Sequence, residues 1–381
     1  MVKMSQDEIE SYYRKIRDTL FMPKIKESLK LLKFWFSPEE AFVLSKFKTP
    51  MMDSMSVEKM AKKTKLPEEK IREIFTRLEK KGLLFNYVNK KDNNKLYYAI
   101  PPLFPGLFEW FFSSKFVSPD IKREGAKIFH QLETEVFSDF ASNYEISRVV
   151  PTIKGEKIIK LDQSVEPGQS QILLFEDVRQ ILENSWSIAV MPCSCRTYHG
   201  ILGDACDRPI EVCINLNSVA EYVDRVGIGR KITIEEALEI LEKSEKAGLV
   251  HIANNQSAKH TFICNCCPCC CGFLSLYNKY KFIKGAVAKS NFLPQVDDSI
   301  CVKCKKCVKI CPVNAIFIKY GSQEDLSDAR IIIREEICIG CGLCASNCPN
   351  EAISLAKVRD VSDLENKLWA AAMRNRQEKL F

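Results

Sequence analysis

The chain has 381 residues, 46% of them hydrophobic and 28% charged, which excludes a disordered protein and gives room for two to four domains at roughly 100–200 residues each. The net charge of +7 is uneven: residues 1–100 carry 22 Lys/Arg against 14 Asp/Glu, and the rest carry 34 against 35. The longest apolar stretch, Phe104 to Phe112, contains Pro105, Gly106 and Glu109 and falls short of the roughly 18–20 residues of a membrane span. The first residues are polar and lack a secretory apolar core, so a cytoplasmic protein without membrane contact is expected.

Residues 5–35 place Ile9, Tyr13, Ile16 and Leu20 at helical spacing. Ser37-Pro38-Glu39-Glu40 is a capping box with Pro at the first helical position, opening a short helix to about Phe47. A second helix is predicted from Ser56 to Lys63. A third runs from Pro67 to Lys81, with Ile71, Ile74, Phe75 and Leu78 on one face and Gly82 as its stop. Leu83–Val88 and Leu96–Ile100 read as strands around a polar turn at 90–95. Three short helices and a two-stranded wing outline a winged helix-turn-helix within residues 1–100. Residues 101–163 are predicted as a helical connector that packs between domains; its aromatic run lacks the basic polar face of a membrane-surface helix.

All 18 cysteines lie beyond this point, ten between Cys193 and Cys271 and eight between Cys301 and Cys348. In a reducing compartment such closely spaced thiols are metal ligands rather than disulfides. The first ten define a cysteine-rich α/β module over 164–290. Within it, Thr233-Ile-Glu-Glu236 is another capping box, opening a helix that ends at Gly248. EILEKSEKAGLV (239–250) resembles EIFTRLEKKGLL (73–84), so one helix-to-strand solution is used twice.

In the second cysteine-bearing segment, Cys301, Cys304, Cys307 and Cys311-Pro312 are matched by Cys338, Cys341, Cys344 and Cys348-Pro349 at the same spacings, and CPVNAI (311–316) is matched by CPNEAI (348–353). Such a repeat specifies a pseudo-symmetric domain. Three thiolates two residues apart wrap one cubane, and the fourth, next to Pro, reaches the other. The expected ligands are Cys301, Cys304, Cys307 and Cys348 for one [4Fe–4S] cluster, and Cys338, Cys341, Cys344 and Cys311 for the second. Zinc sites favour separated Cys pairs instead. Residues 295–357 resemble the bacterial-type dicluster ferredoxins, which implies a double ββαβ-type repeat within 291–357 carrying single electrons between two clusters. The 26-residue gap between Cys311 and Cys338 is longer than in compact forms, and 320–329 is expected to form an extended hairpin loop.

The upstream set is Cys193, Cys195, Cys206, Cys213, Cys264, Cys266, Cys267, Cys269, Cys270 and Cys271, the last six within eight residues. Neighbouring thiolates point in different directions, so one cubane cannot take them all. Two four-ligand clusters with two thiols spare, one larger or bridged cluster, and one cluster beside reactive thiols all fit the spacing. His199 and His251 are candidates for further ligands or hydrogen bonds, and Arg196 for offsetting cluster charge. MPCSCRTYHG, PIEVCINL and FICNCCPCCCG together resemble a group of iron–sulfur proteins from anaerobes in which this module precedes a dicluster ferredoxin. That resemblance spans 165–357 and implies iron–sulfur binding and electron transfer without a defined reaction. Cys270-Cys271-Gly272 also resembles the CCG motif of heterodisulfide reductases.

The fold class expected is multidomain α+β, closed by a C-terminal helix within 358–381 that carries Leu364, Leu368, Trp369 and Met373. The functional expectation is an electron-transfer protein or an oxidoreductase subunit with redox-protein partners. No Gly-rich fingerprint indicates a nicotinamide or flavin cofactor. The alternative is a redox-responsive winged-helix regulator that binds DNA through its basic first quarter. The third helix, however, mixes its basic residues with Glu68, Glu69, Glu73 and Glu79.

Overall fold

A computed structural model of the chain describes residues 5–143, 146–152, 159–160, 176–256, 260–279, 287–320 and 329–359. The helical spacing read across 5–35 resolves into two helices, α1 (Gln6–Thr19) and α2 (Lys26–Trp35). Pro23 lies between them, and a proline ring there excludes a continuous helix. α3 (Pro38–Leu44) opens on the expected capping box: the Glu40 backbone N–H donates to Ser37 Oγ at 3.3 Å, and the Ser37 N–H donates to Glu40 Oε2 at 2.7 Å. α4 (Val57–Thr64) and α5 (Glu68–Lys80) follow, then a hairpin of β1 (Phe85–Asn89) and β2 (Lys95–Ala99), with Phe85 opposite Ala99.

The aromatic segment beyond it forms α6 (Phe108–Ser113), α7 (Pro119–His130) and α8 (Glu133–Asn143). These helices share one apolar core with the N-terminal ones: Leu31, Ile71 and Phe75 belong to the same buried cluster as Phe104, Phe108, Phe129 and Phe137. The segment read as a connector thus supplies much of the first core.

β3 (Ser147–Val149) and β4 (Ile159–Lys160) also fall within that connector, and each joins a sheet further along the chain. The cysteine-rich stretch contributes α9 (Val178–Glu183), β5 (Ile188–Pro192), α10 (Ser194–Leu202), β6 (Glu211–Leu216), α11 (Asn217–Arg225), β7 (Arg230–Lys231), α12 (Ile234–Lys246), β8 (Val250–Asn254), β9 (Phe262–Cys266), α13 (Ser275–Lys279) and β10 (Val287–Ala288). Its sheet runs β10-β3-β8-β9-β6-β5-β7, antiparallel except between β10 and β3. α12 is capped by Thr233, whose Oγ1 accepts from the Glu236 N–H at 3.2 Å. The carboxylate of Glu236 meets Arg230 at 2.6 Å instead.

The two helix exits matched in sequence match in structure. Gly82 and Gly248 both have φ +73°. Leu83 N–H reaches back to Leu78 O, and Leu249 N–H to Ser244 O, at 2.9 Å each, the closure that a left-handed residue permits.

The ferredoxin-like segment contains β11 (Phe292–Val296), α14 (Lys306–Ile310), β12 (Ile316–Lys319), β13 (Arg330–Ile333), α15 (Leu343–Ser346) and β14 (Ile353–Lys357). Each half is therefore β-α-β, not the expected ββαβ: the residues between strand and helix are taken up by the cysteine loop, leaving no length for a second strand. β11 pairs antiparallel with β14, β12 with β13, and β4 adds to β14 in parallel. The expected hairpin loop falls largely on 321–328, and the C-terminal helix on 361–376; both lie outside the described residues. The fold is mixed α and β, and no described helix is long and apolar enough to cross a membrane.

Candidate metal centres

The eight downstream cysteines gather in two groups. Cys301, Cys304, Cys307 and Cys348 line one cavity, with Lys303, Lys305, Lys306 and Pro349 at its walls. Cys311, Cys338, Cys341 and Cys344 line a second, walled by Pro294, Val313, Ile316 and Ile339. The fourth cysteine of each run lines the cavity of the other half. The repeat extends to the hydrogen bonds: Ala315 N–H donates to Cys311 Sγ at 3.2 Å, and Ala352 N–H to Cys348 Sγ at 3.3 Å. Burial pushes the Cys307 thiol up to about 11 and raises Cys338, Cys341 and Cys344 as well. Buried thiols in an apolar wall are costly to ionise unless a cation accompanies them, and four thiolates are the donor set that an iron–sulfur cube takes.

The ten upstream cysteines also divide, by a rule their order conceals. Cys264 and Cys266 alternate with Asn265 on β9, so both thiols fall on one face. They meet Cys193 and Cys195 from the start of α10, Cys213 from β6 and Cys271 from the turn after β9, all lining one cavity that Cys267 also borders. The thiols influence one another in a row: Cys193 with Cys195, Cys195 with Cys271, Cys271 with Cys266, Cys266 with Cys264, and Cys264 with Cys213. Hydrogen bonds from Cys213 and Cys266 hold the Cys264 thiol down at about 5. Those from Cys195 and Cys266 lower Cys271, and that from Cys195 lowers Cys193. These contacts favour the ionised form, the one that binds metal, at three of the six.

Glu109, from α6, lines the same cavity. Burial pushes its carboxyl up to about 8, against a hydrogen bond from Gly106 N–H at 2.7 Å. This residue was missed from sequence, although a lone acid inside the aromatic run LFPGLFEWFF marks it. Arg196 is 1% exposed, and both its terminal nitrogens reach Asn265 O at 3.3 Å. Its Nε is buried with no partner among the described residues. A guanidinium so enclosed needs negative charge beside it, and the donor set around it fits a thiophilic metal group.

Cys206, Cys267, Cys269 and Cys270 form the other group, all four Sγ atoms lying within 4.8 Å of one another. The candidate histidines belong to neither. Nδ1 of His251 faces Asn265 Oδ1 at 2.6 Å and its Nε2 faces Glu245 Oε1 at 3.0 Å, so both ring nitrogens are already engaged. His199 holds Asp204 through Nδ1 at 2.9 Å.

A family model described as a 4Fe-4S dicluster domain matches residues 300–352. The chain carries a 4Fe-4S dicluster domain. Its match covers all eight downstream cysteines and supports 4Fe-4S cluster binding there. No curated protein and no solved structure matches the chain.

Proposed function

We propose that this protein is an iron–sulfur electron carrier, a ferredoxin-type relay or reductase subunit, with one cluster in each downstream cavity and a further one among the six upstream thiols. Cys301, Cys304, Cys307 and Cys348 hold the first cluster; Cys311, Cys338, Cys341 and Cys344 hold the second. Such clusters supply reversible one-electron chemistry. The carrying observation is a shared core: Cys338 and Cys271 are buried in the same apolar cluster, against which Cys311, Cys341, Cys264 and Cys266 also pack. One water-excluding interior therefore joins the second downstream cavity to the six-thiol cavity. The first cavity faces outward. Cys304 is exposed, as are Ile300 and Val302 beside it, within a rim of Lys305 and Lys306, with Lys303 paired to Asp298. An apolar contact ringed by lysines suits an acidic redox protein.

α3 to α5 and the β1–β2 hairpin have the order of a winged helix, and we read this unit as a docking body within the molecule. Tyr222 Oη on α11 donates to Leu84 O at 3.0 Å, and Phe85 packs its ring near Tyr222.

Full-length protein purified without oxygen tests the reading. About twelve irons with matching sulfide are expected, and about eight would remove the upstream cluster, since each cube carries four of each. Cys266→Ala should lose the upstream iron and keep the ferredoxin-type EPR signal after dithionite. Colourless protein with no such signal would overturn the whole reading.

A further inference from the structure

The four-thiol group differs in kind from the other three. Cys206 Sγ lies 3.9 Å from Cys267 Sγ, and Cys269 Sγ lies 3.9 Å from Cys270 Sγ. All four stay within 4.8 Å of one another. A tetrahedral ion bound to sulfur at about 2.3 Å sets its thiolates about 3.8 Å apart. A four-iron cube carries its thiolates on outer corners, roughly 6 Å apart. The observed separations are those of a single ion.

Local structure explains the convergence. Pro268 follows Cys267 and turns the chain through 268–270, bringing three of the thiols together from four consecutive residues. The Cys270 N–H donates to Cys267 Sγ at 3.3 Å. Cys206 comes from the loop before β6, 61 residues away in sequence. Charge closes the argument. Four thiolates around a divalent ion leave a charge of two minus, and two guanidiniums answer it. Arg208 Nη1 lies 3.5 Å from Cys269 Sγ, while its Nε is anchored on Ala247 O at 3.0 Å. Arg196 makes its side-chain contact with Cys267 from the buried side.

We propose that Cys206, Cys267, Cys269 and Cys270 bind one tetrahedral metal ion, zinc or ferrous iron, and not a cluster. Binding releases the four thiol protons, with no change of oxidation state. The ion ties the loop before β6 to the turn after β9. Its ligands Cys267 and Cys270 are the chain neighbours of Cys266 and Cys271, so it fixes two walls of the six-thiol cavity. This site is independent of the relay reading above.

Metal and acid-labile sulfide counts on oxygen-free, full-length Cys269→Ser and Cys206→Ser proteins decide it, the first altering an exposed side chain. Each should lose one metal ion per chain and no sulfide. Equal loss of iron and sulfide, or no loss at all, would overturn the proposal. Should neither variant fold, the wild-type chain answers. X-ray absorption should find one zinc with four sulfur neighbours, or Mössbauer spectroscopy one high-spin iron in tetrahedral sulfur. Absence of both sinks the site.

Discussion

Cys311 and Cys348 show how much can depend on one side chain's direction. Each follows its own helix, accepts an N–H from an alanine four residues on, and then faces the cavity of the opposite half. A substitution should therefore be felt away from its own loop. Cys348→Ala is expected to disturb the group among Cys301, Cys304 and Cys307, and Cys311→Ala the group among Cys338, Cys341 and Cys344. Cys304 is exposed, whereas Cys338 and Cys344 are buried. The Cys348→Ala protein should thus lose its iron faster to an external chelator. Faster loss from the Cys311→Ala protein would contradict the crossed arrangement. Glu109 and Arg196 act at the same scale, an acid and a base lining a thiol-lined cavity: burial favours the neutral carboxyl, whereas the enclosed guanidinium needs negative charge beside it.

Among the elements, the paired exits at Gly82 and Gly248 separate backbone requirement from packing. Both sit at φ +73°, where a side chain costs about 1–2 kcal/mol. A Cβ on Gly82 would meet the Trp110 backbone carbon at 2.6 Å, while one on Gly248 would first meet the Ile310 side chain at 3.3 Å. Denaturant unfolding should show Gly82→Ala losing more stability than Gly248→Ala. Equal losses would mean that the backbone strain alone matters. These exits were legible because a helix stop is local: Gly, its left-handed turn and the following apolar residue lie within a few positions. The capping box at Ser37 was legible for the same reason. At Thr233 the reciprocal half failed because Arg230, three residues upstream, offers Glu236 an opposite charge.

Across the whole molecule, docking between elements bears on the choice between electron carrier and regulator. Two of the basic side chains on α5 are already answered: Arg77 by Glu40 and Glu73, and Lys70 by Glu39 and Glu73. Phosphate binding needs such charges available. The full-length protein should accordingly pass a duplex-DNA column unretained at ~50 mM salt, where non-specific binding is strong. Salt-sensitive retention would restore the regulator reading.

The spacing of the eight downstream cysteines determined their grouping by itself, because three ligands in each run are separated by two residues and a proline redirects the fourth. Only the tertiary structure decided the upstream ten. Cys206 finds its nearest partner, Cys267, 61 residues away; the adjacent thiols Cys270 and Cys271 serve different groups, and Cys267 stands between the two. A chain's order fixes which atoms are neighbours along the backbone. Which face each one turns to, and what waits there, is set by the strands and helices folded around it.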